Sequence, residues 1–128
     1  MRSVFVPAVV FCLVNLWSAT ADAHRVIIFA WIEDNTVHTV SKFAGGKNIS
    51  KGQIRAYGDQ NRLLAEGRTD ADGRFSFPLP ETAALRVVLS AGPGHQGQWV
   101  LSKKDIEAAR EGYGSTSAEA EPQKATVN

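Results

Sequence analysis

Arg25-Val-Ile-Ile-Phe-Ala-Trp-Ile32, the pair Asp34-Asn35 and the run Thr36-Val-His-Thr-Val-Ser-Lys-Phe43 read together as a β-hairpin. The first run is rich in β-branched and aromatic residues, which suit a pleated, half-buried surface. Asp and Asn both tolerate positive φ, so Asp34-Asn35 predicts a two-residue turn. That turn fixes a register in which Ile32 faces Val37 and Trp31 faces His38. Trp31, like Trp99 further on, is expected in the core, because large rings are most often packed there.

Downstream, Gly45 to Gly52 is a loop with three glycines. Short strands then follow at regular spacing. Gln53 to Tyr57 alternates, Asp59-Gln60-Asn61 turns the chain, and Arg62 to Thr69 continues it. Asp70-Ala-Asp-Gly73 is a tight turn before Arg74-Phe-Ser-Phe77, which Pro78 and Pro80 end. Leu85, Val87, Leu89 and Ala91 share one face of the next strand. Gly92-Pro-Gly-His-Gln-Gly97 turns again, and Gln98 to Leu101 closes the set. Seven strands punctuated in this way predict an all-β chain, a seven-stranded immunoglobulin- or transthyretin-like sandwich. Ser102-Lys-Lys-Asp105 has the spacing of a capping box, with Asp in place of Glu, and opens a short helix to about Arg110 that Gly112 is expected to stop. The domain spans 24–112, and residues 113–128, dominated by Ser, Thr, Ala, Glu and Gln, read as a disordered tail.

Upstream of the hairpin, Met1-Arg-Ser3 leads into an apolar run from Val4 to Trp17 and then into Ser18-Ala-Thr-Ala-Asp-Ala23. A basic start, an apolar middle and an A-x-A end make residues 1–23 a signal peptide cleaved before His24. The run is shorter than the roughly 20 residues of a membrane span. Export places the mature chain in the periplasm or outside the cell, with no transmembrane helix. Cys12, the only cysteine, lies in the segment removed, so the mature domain is held by packing alone. The formal net charge of +1 gives no overall field for nucleic acid.

Cleavage before His24 has a chemical consequence. A free α-amino group and the imidazole Nδ1 of the same residue can chelate one ion, and the α-amino pKa of about 7.7–8.0 lets a metal displace its proton near neutrality. Nitrogen ligands suit Ni, Co, Cu or Zn. A further ligand must come from elsewhere in the fold. His38 is excluded by register: His24 lies seven residues before Trp31, about 23 Å away at ~3.3 Å per residue. His95 is not excluded. In seven alternating strands, the start of the first lies at the same end as the turns after the second, fourth and sixth. That end gathers His24, Lys47-Asn48, Asp70, Asp72 and His95. The candidate metal ligands are therefore His24 and His95, with Asp70 and Asp72 adding negative potential. Asp70-Ala-Asp-Gly73 lacks the later ligands of a Ca2+ loop and reads as a hairpin turn. No nucleophile sits beside a paired base and no phosphate loop opens a helix, so enzyme activity is not expected.

Two patterns carry a resemblance. Leu63-Leu-Ala-Glu-Gly-Arg-Thr-Asp-Ala-Asp-Gly-Arg-Phe-Ser-Phe-Pro-Leu-Pro80 resembles the signature of carboxypeptidase-regulatory-like domains, a transthyretin-like sandwich. The wider pattern joins a leader ending at Ala23, His24-Arg-Val-Ile-Ile-Phe-Ala-Trp31, that signature, and Ala91-Gly-Pro-Gly-His-Gln-Gly-Gln-Trp99. It is similar to the small periplasmic accessory component of nickel and cobalt energy-coupling-factor transporters, over about residues 22–107. The resemblance implies a protein that assists the membrane-embedded substrate-specific component during uptake. It also singles out His24 and His95, as the post-signal histidine and the Gly-x-Gly-His turn. The ion carried would be Ni2+ or Co2+, with no organic cofactor, no small-molecule substrate and no nucleic acid. Many such proteins end in a transmembrane helix, whereas this chain ends in a polar tail. Two other readings stay open: a metal-free interaction module using sheet edges or loops, and a periplasmic copper-binding protein.

Overall fold

Alternating side chains in the central segment build two layers, which the computed structural model describes over residues 25–119, with side chains through Gly114. The expected leader and the last nine residues lie outside the described residues, as does His24. Strands β1 (Val26–Glu33), β2 (Thr36–Phe43), β3 (Gln53–Tyr57), β4 (Leu63–Arg68), β5 (Arg74–Pro78), β6 (Leu85–Ser90) and β7 (Gln96–Leu101) precede one helix, α1 (Lys103–Glu119). The strands form two antiparallel sheets, β1-β2-β5 and β4-β3-β6-β7. The result is a β-sandwich in which β4 pairs with β3 rather than with β5.

The hairpin has the register its turn dictates. Asp34 and Asn35 hold φ of 48° and 57°, and the pairs Ile32↔Val37 and Trp31↔His38 follow. One face of each strand then turns inward: Val26, Ile28 and Ala30 from β1, Val37 from β2, Ile54 and Ala56 from β3, Leu85, Val87 and Leu89 from β6. Burying each of the larger aliphatic side chains contributes about 1.5–3 kcal/mol. Phe77 and Leu79, on either side of Pro78, complete the layer from β5.

Both ends of the sandwich are closed differently. At one end, Ile106 of α1 is 2% exposed within the core, and Arg110 Nη2 donates to the Pro80 carbonyl at 2.8 Å. The capping box starts this helix: Ser102 N–H and Oγ–H both donate to Asp105 Oδ2, at 2.8 and 2.7 Å, and Asp105 N–H donates back to Ser102 Oγ at 3.2 Å. These bonds hold the Asp105 carboxyl below its ordinary pKa, first through the Ser102 hydroxyl, then through its backbone N–H, with Lys104 adding attraction. The helix continues past Gly112 to Glu119, correcting the expected stop near Arg110 and the expected tail over its first residues. Glycine in a helix costs about 1 kcal/mol but ends it only by turning left-handed, and Gly112 does not.

At the other end lies the Gly45–Gly52 loop. Ile49 is 3% exposed and anchors it in the core. Buried Thr69 ties the loop to the end of β4, its hydroxyl donating to the Ile49 carbonyl at 2.5 Å and accepting from Gly52 N–H at 2.8 Å. The loop is thus part of the sandwich and not slack.

Candidate functional site

The described segments that flank the predicted site share one pole of the sandwich. Arg25, at the start of β1, accepts a bond from Ala44 N–H at 2.7 Å, which joins the chain start to the β2–β3 loop. Thr69 N–H donates to Gly52 O and Lys51 N–H to Thr69 O, both at 2.9 Å, joining that loop to the β4–β5 turn. The β6–β7 turn shares a cavity of about 170 Å3 with the same loop, lined by Phe43, Ile49, Arg68, Ser90 and Gly92 among others. The start of β1 and all three turns therefore occupy one pole, as strand alternation predicts.

Gly97 of β7 fixes how β1 and β7 meet. A Cβ there would lie 3.4 Å from the Val26 carbonyl oxygen and 3.6 Å from Ile28 Cγ2, so the two edge strands touch at their starts. His95 is two residues before Gly97, and His24 is two residues before Val26. The His95 ring is half-buried, and its Nδ1 lies 3.0 Å from the Pro93 carbonyl. A carbonyl only accepts, so Nδ1 carries the proton and the lone pair of the neutral ring is on Nε2. This is the second-sphere arrangement usual for metal-ligating histidines. Among the described residues, no group of three or more His, Cys, Asp or Glu side chains is gathered as a metal site.

Asp70 and Asp72 lie in the β4–β5 turn at this pole. Asp70 Oδ1 accepts from Asp72 N–H and Arg74 N–H, both at 2.9 Å, so its carboxylate is spent on shaping the turn. Asp72 lines a shallow recess with Lys42, Asn48 and Arg74. Among the described residues, Arg25, Lys42, Lys47, Lys51, Arg68 and Arg74 belong to this pole, against those two carboxylates. The potential there is positive, and a sum of charges by end, which net composition hides, would have shown it.

His38 sits where register requires, remote from the pole. Its Nδ1 is 2.9 Å from Ser76 Oγ, and its ring stacks on Trp31 with centroids 5.4 Å apart. Neither tryptophan is in the core. Trp31 points outward from β1 beside Phe29, at 5.5 Å between centroids, and Phe29 meets Trp99 edge-on at 4.8 Å. Ile27, Phe29, Trp99 and Val100 are 51%, 44%, 38% and 53% exposed, leaving an apolar seam where the β1 edge of one sheet meets the β7 edge of the other. The expectation failed because β1 is apolar on both faces: Ala30 is small enough to fit inside, and the rings take the outside.

Among the described residues no helix is long and apolar enough to cross a membrane. No family model, curated protein or solved structure matches this chain.

Proposed function

We propose that this protein is a non-enzymatic accessory factor of nickel or cobalt uptake outside the cytoplasm. It would hold a divalent ion through the α-amino group and imidazole of His24, with His95 as a further ligand, beside a membrane-embedded transporter component. The observation that carries the reading is the contact between Val26 and Gly97, which brings the segments leading from both histidines to one pole. Pro93 supports it by setting the His95 tautomer. The six cationic side chains of that pole weaken attraction for a divalent ion, which suits a carrier that must release it. The transthyretin-like class of the sandwich and the signal peptide belong to the same proposal.

The test is calorimetric titration of Ni2+ and Co2+ into protein whose first residue is His24, confirmed by intact mass. Each of His24→Ala, His95→Ala and N-terminal acetylation should weaken binding about tenfold or more, as loss of a ligand does. Binding indifferent to all three, or no binding, rejects the metal site. The exposed seam along β1 and β7 favours a second reading, an interaction module that needs no metal, and that module would remain. Tighter binding of Cu2+ than Ni2+ is expected from the general affinity order and does not by itself argue for a copper protein.

A further inference from the structure

The apolar seam adjoins part of the cationic pole. In an antiparallel pair, residues directly opposite share a face. On the outer face of β1-β2-β5, Ile27 is opposite Lys42, Phe29 is opposite Val40, and Val40 is opposite Arg74. Arg25 precedes Ile27 on the same face of β1. Aromatic and aliphatic side chains thus stand among Arg25, Lys42 and Arg74, with Trp99 reaching in from β7 to touch Phe29. Asp72 lines a recess with Lys42 and Arg74, and Asp70 is tied into the neighbouring turn.

From this juxtaposition we infer that the outer face of β1-β2-β5, from Arg25 to Trp31, docks reversibly on an anionic phospholipid surface. Rings of Trp and Phe seat at the headgroup level, and Lys and Arg beside them pair with anionic headgroups. A folded protein partner is the less favoured occupant. Protein interfaces are depleted in lysine, whereas Lys42 stands on this face and Lys47 on the loop that directly follows β2. Docking here would set the β6–β7 turn near the bilayer, but it does not depend on any metal site.

The chain itself supplies the probe. In protein starting at His24 the two tryptophans are Trp31 and Trp99, and both lie on the seam. Adding vesicles of equal phosphatidylglycerol and phosphatidylcholine at low salt should blue-shift and intensify their emission, and co-sediment the protein. Pure phosphatidylcholine vesicles should bind at least about tenfold more weakly, and high salt should release the protein, because each basic side chain contributes to headgroup attraction. The exposed pair Lys42→Glu with Arg74→Glu should lower partitioning by about tenfold or more, and Ile27→Ser should lower it several-fold with the charges intact. Unchanged thermal unfolding confirms that these variants fold. No emission shift and no co-sedimentation with anionic vesicles overturns the inference. So does binding that ignores both the charge reversal and Ile27→Ser. Capture only by vesicles carrying a transporter component reassigns the face to a protein partner.

Discussion

Two turns at the same pole make an instructive pair. The β4–β5 turn runs from Asp70 to Gly73 and the β6–β7 turn from Gly92 to His95, and each contains a left-handed glycine of nearly equal angle, Gly73 at φ 75° and Gly94 at φ 74°. Their surroundings differ. Gly73 is pressed into the sandwich, its carbonyl accepting from Ser41 N–H at 2.8 Å, whereas Gly94 has open space where a side chain would grow. In the first turn the acidic side chain is consumed by neighbouring backbone N–H groups. In the second, a backbone carbonyl, that of Pro93, meets one ring nitrogen of His95 instead. A polar residue in a turn is structural or chemical according to which of its atoms the turn itself needs.

The sharpest way to break the comparison is alanine at each glycine. Both variants incur about 1–2 kcal/mol for a left-handed non-glycine residue. Gly73→Ala also drives a Cβ to within 2.3 Å of the Ser41 carbonyl oxygen, against backbone that is itself bonded to Ile49 N–H. That overpacking adds about 1–3 kcal/mol. Urea unfolding should therefore show Gly73→Ala to be clearly the more destabilised, and equal losses would mean that the two turns are packed alike.

A smaller loss is expected where the β2–β3 loop joins the first turn. Thr69→Val keeps the volume but removes a hydroxyl that serves both Ile49 O and Gly52 N–H, leaving buried groups unpaired, and should cost about 2 kcal/mol. Ser41→Ala provides the contrast: Ser41 Oγ is buried without a protein partner, so its removal should change stability by no more than about 1 kcal/mol. Thermal unfolding of the pair separates a hydroxyl that holds the loop from one that merely fits.

Asp70→Ala should cost about 1 kcal/mol through the lost turn bonds, yet leave any Ni2+ affinity unchanged, while His95→Ala should do the reverse. A drop in metal affinity on removing Asp70 would erase the distinction between the turns.

The smallest expected effect lies at the opposite pole and is read from acid unfolding. Asp105 is held below its ordinary pKa in the folded chain, chiefly by the Ser102 hydroxyl. The folded state therefore gains from its ionisation at all pH above the ordinary carboxylate range. That gain disappears as pH falls through the lowered folded value. Asp105→Asn should flatten this acid limb and leave the stability profile near neutrality parallel to that of the unmodified protein.

How much of this was legible follows from particular residues. The Asp34-Asn35 turn sets the β1–β2 register outright, and the proline pair and Gly73 bracket β5, so strand count and pole assignment are readable. The capping box is readable because Ser102 and Asp105 stand three residues apart. The facing of β1 is not, since Ile27, Phe29 and Trp31 are as apolar as Val26, Ile28 and Ala30. Its partner does not help, because β2 turns Thr39 and Ser41 inward and leaves Val40 outside. Hydropathy alternation is silent on such a strand, and ring size misleads. The anchoring of the loop was also hidden, resting on one isoleucine among polar residues and one threonine twenty positions away. For the candidate site, strand alternation places the start of β1 and three turns at one pole, but composition gives no warning that lysine and arginine outnumber carboxylate among the described residues there.

Gly97 acts as a spacer between the edge strands. With hydrogen for a side chain, β7 nests against the first residues of β1; a methyl at that position would just make contact, and a branched group would wedge the strands apart. The spacing between the starts of β1 and β7 is thus a fine tolerance, adjustable one carbon at a time from a position that carries no chemistry of its own.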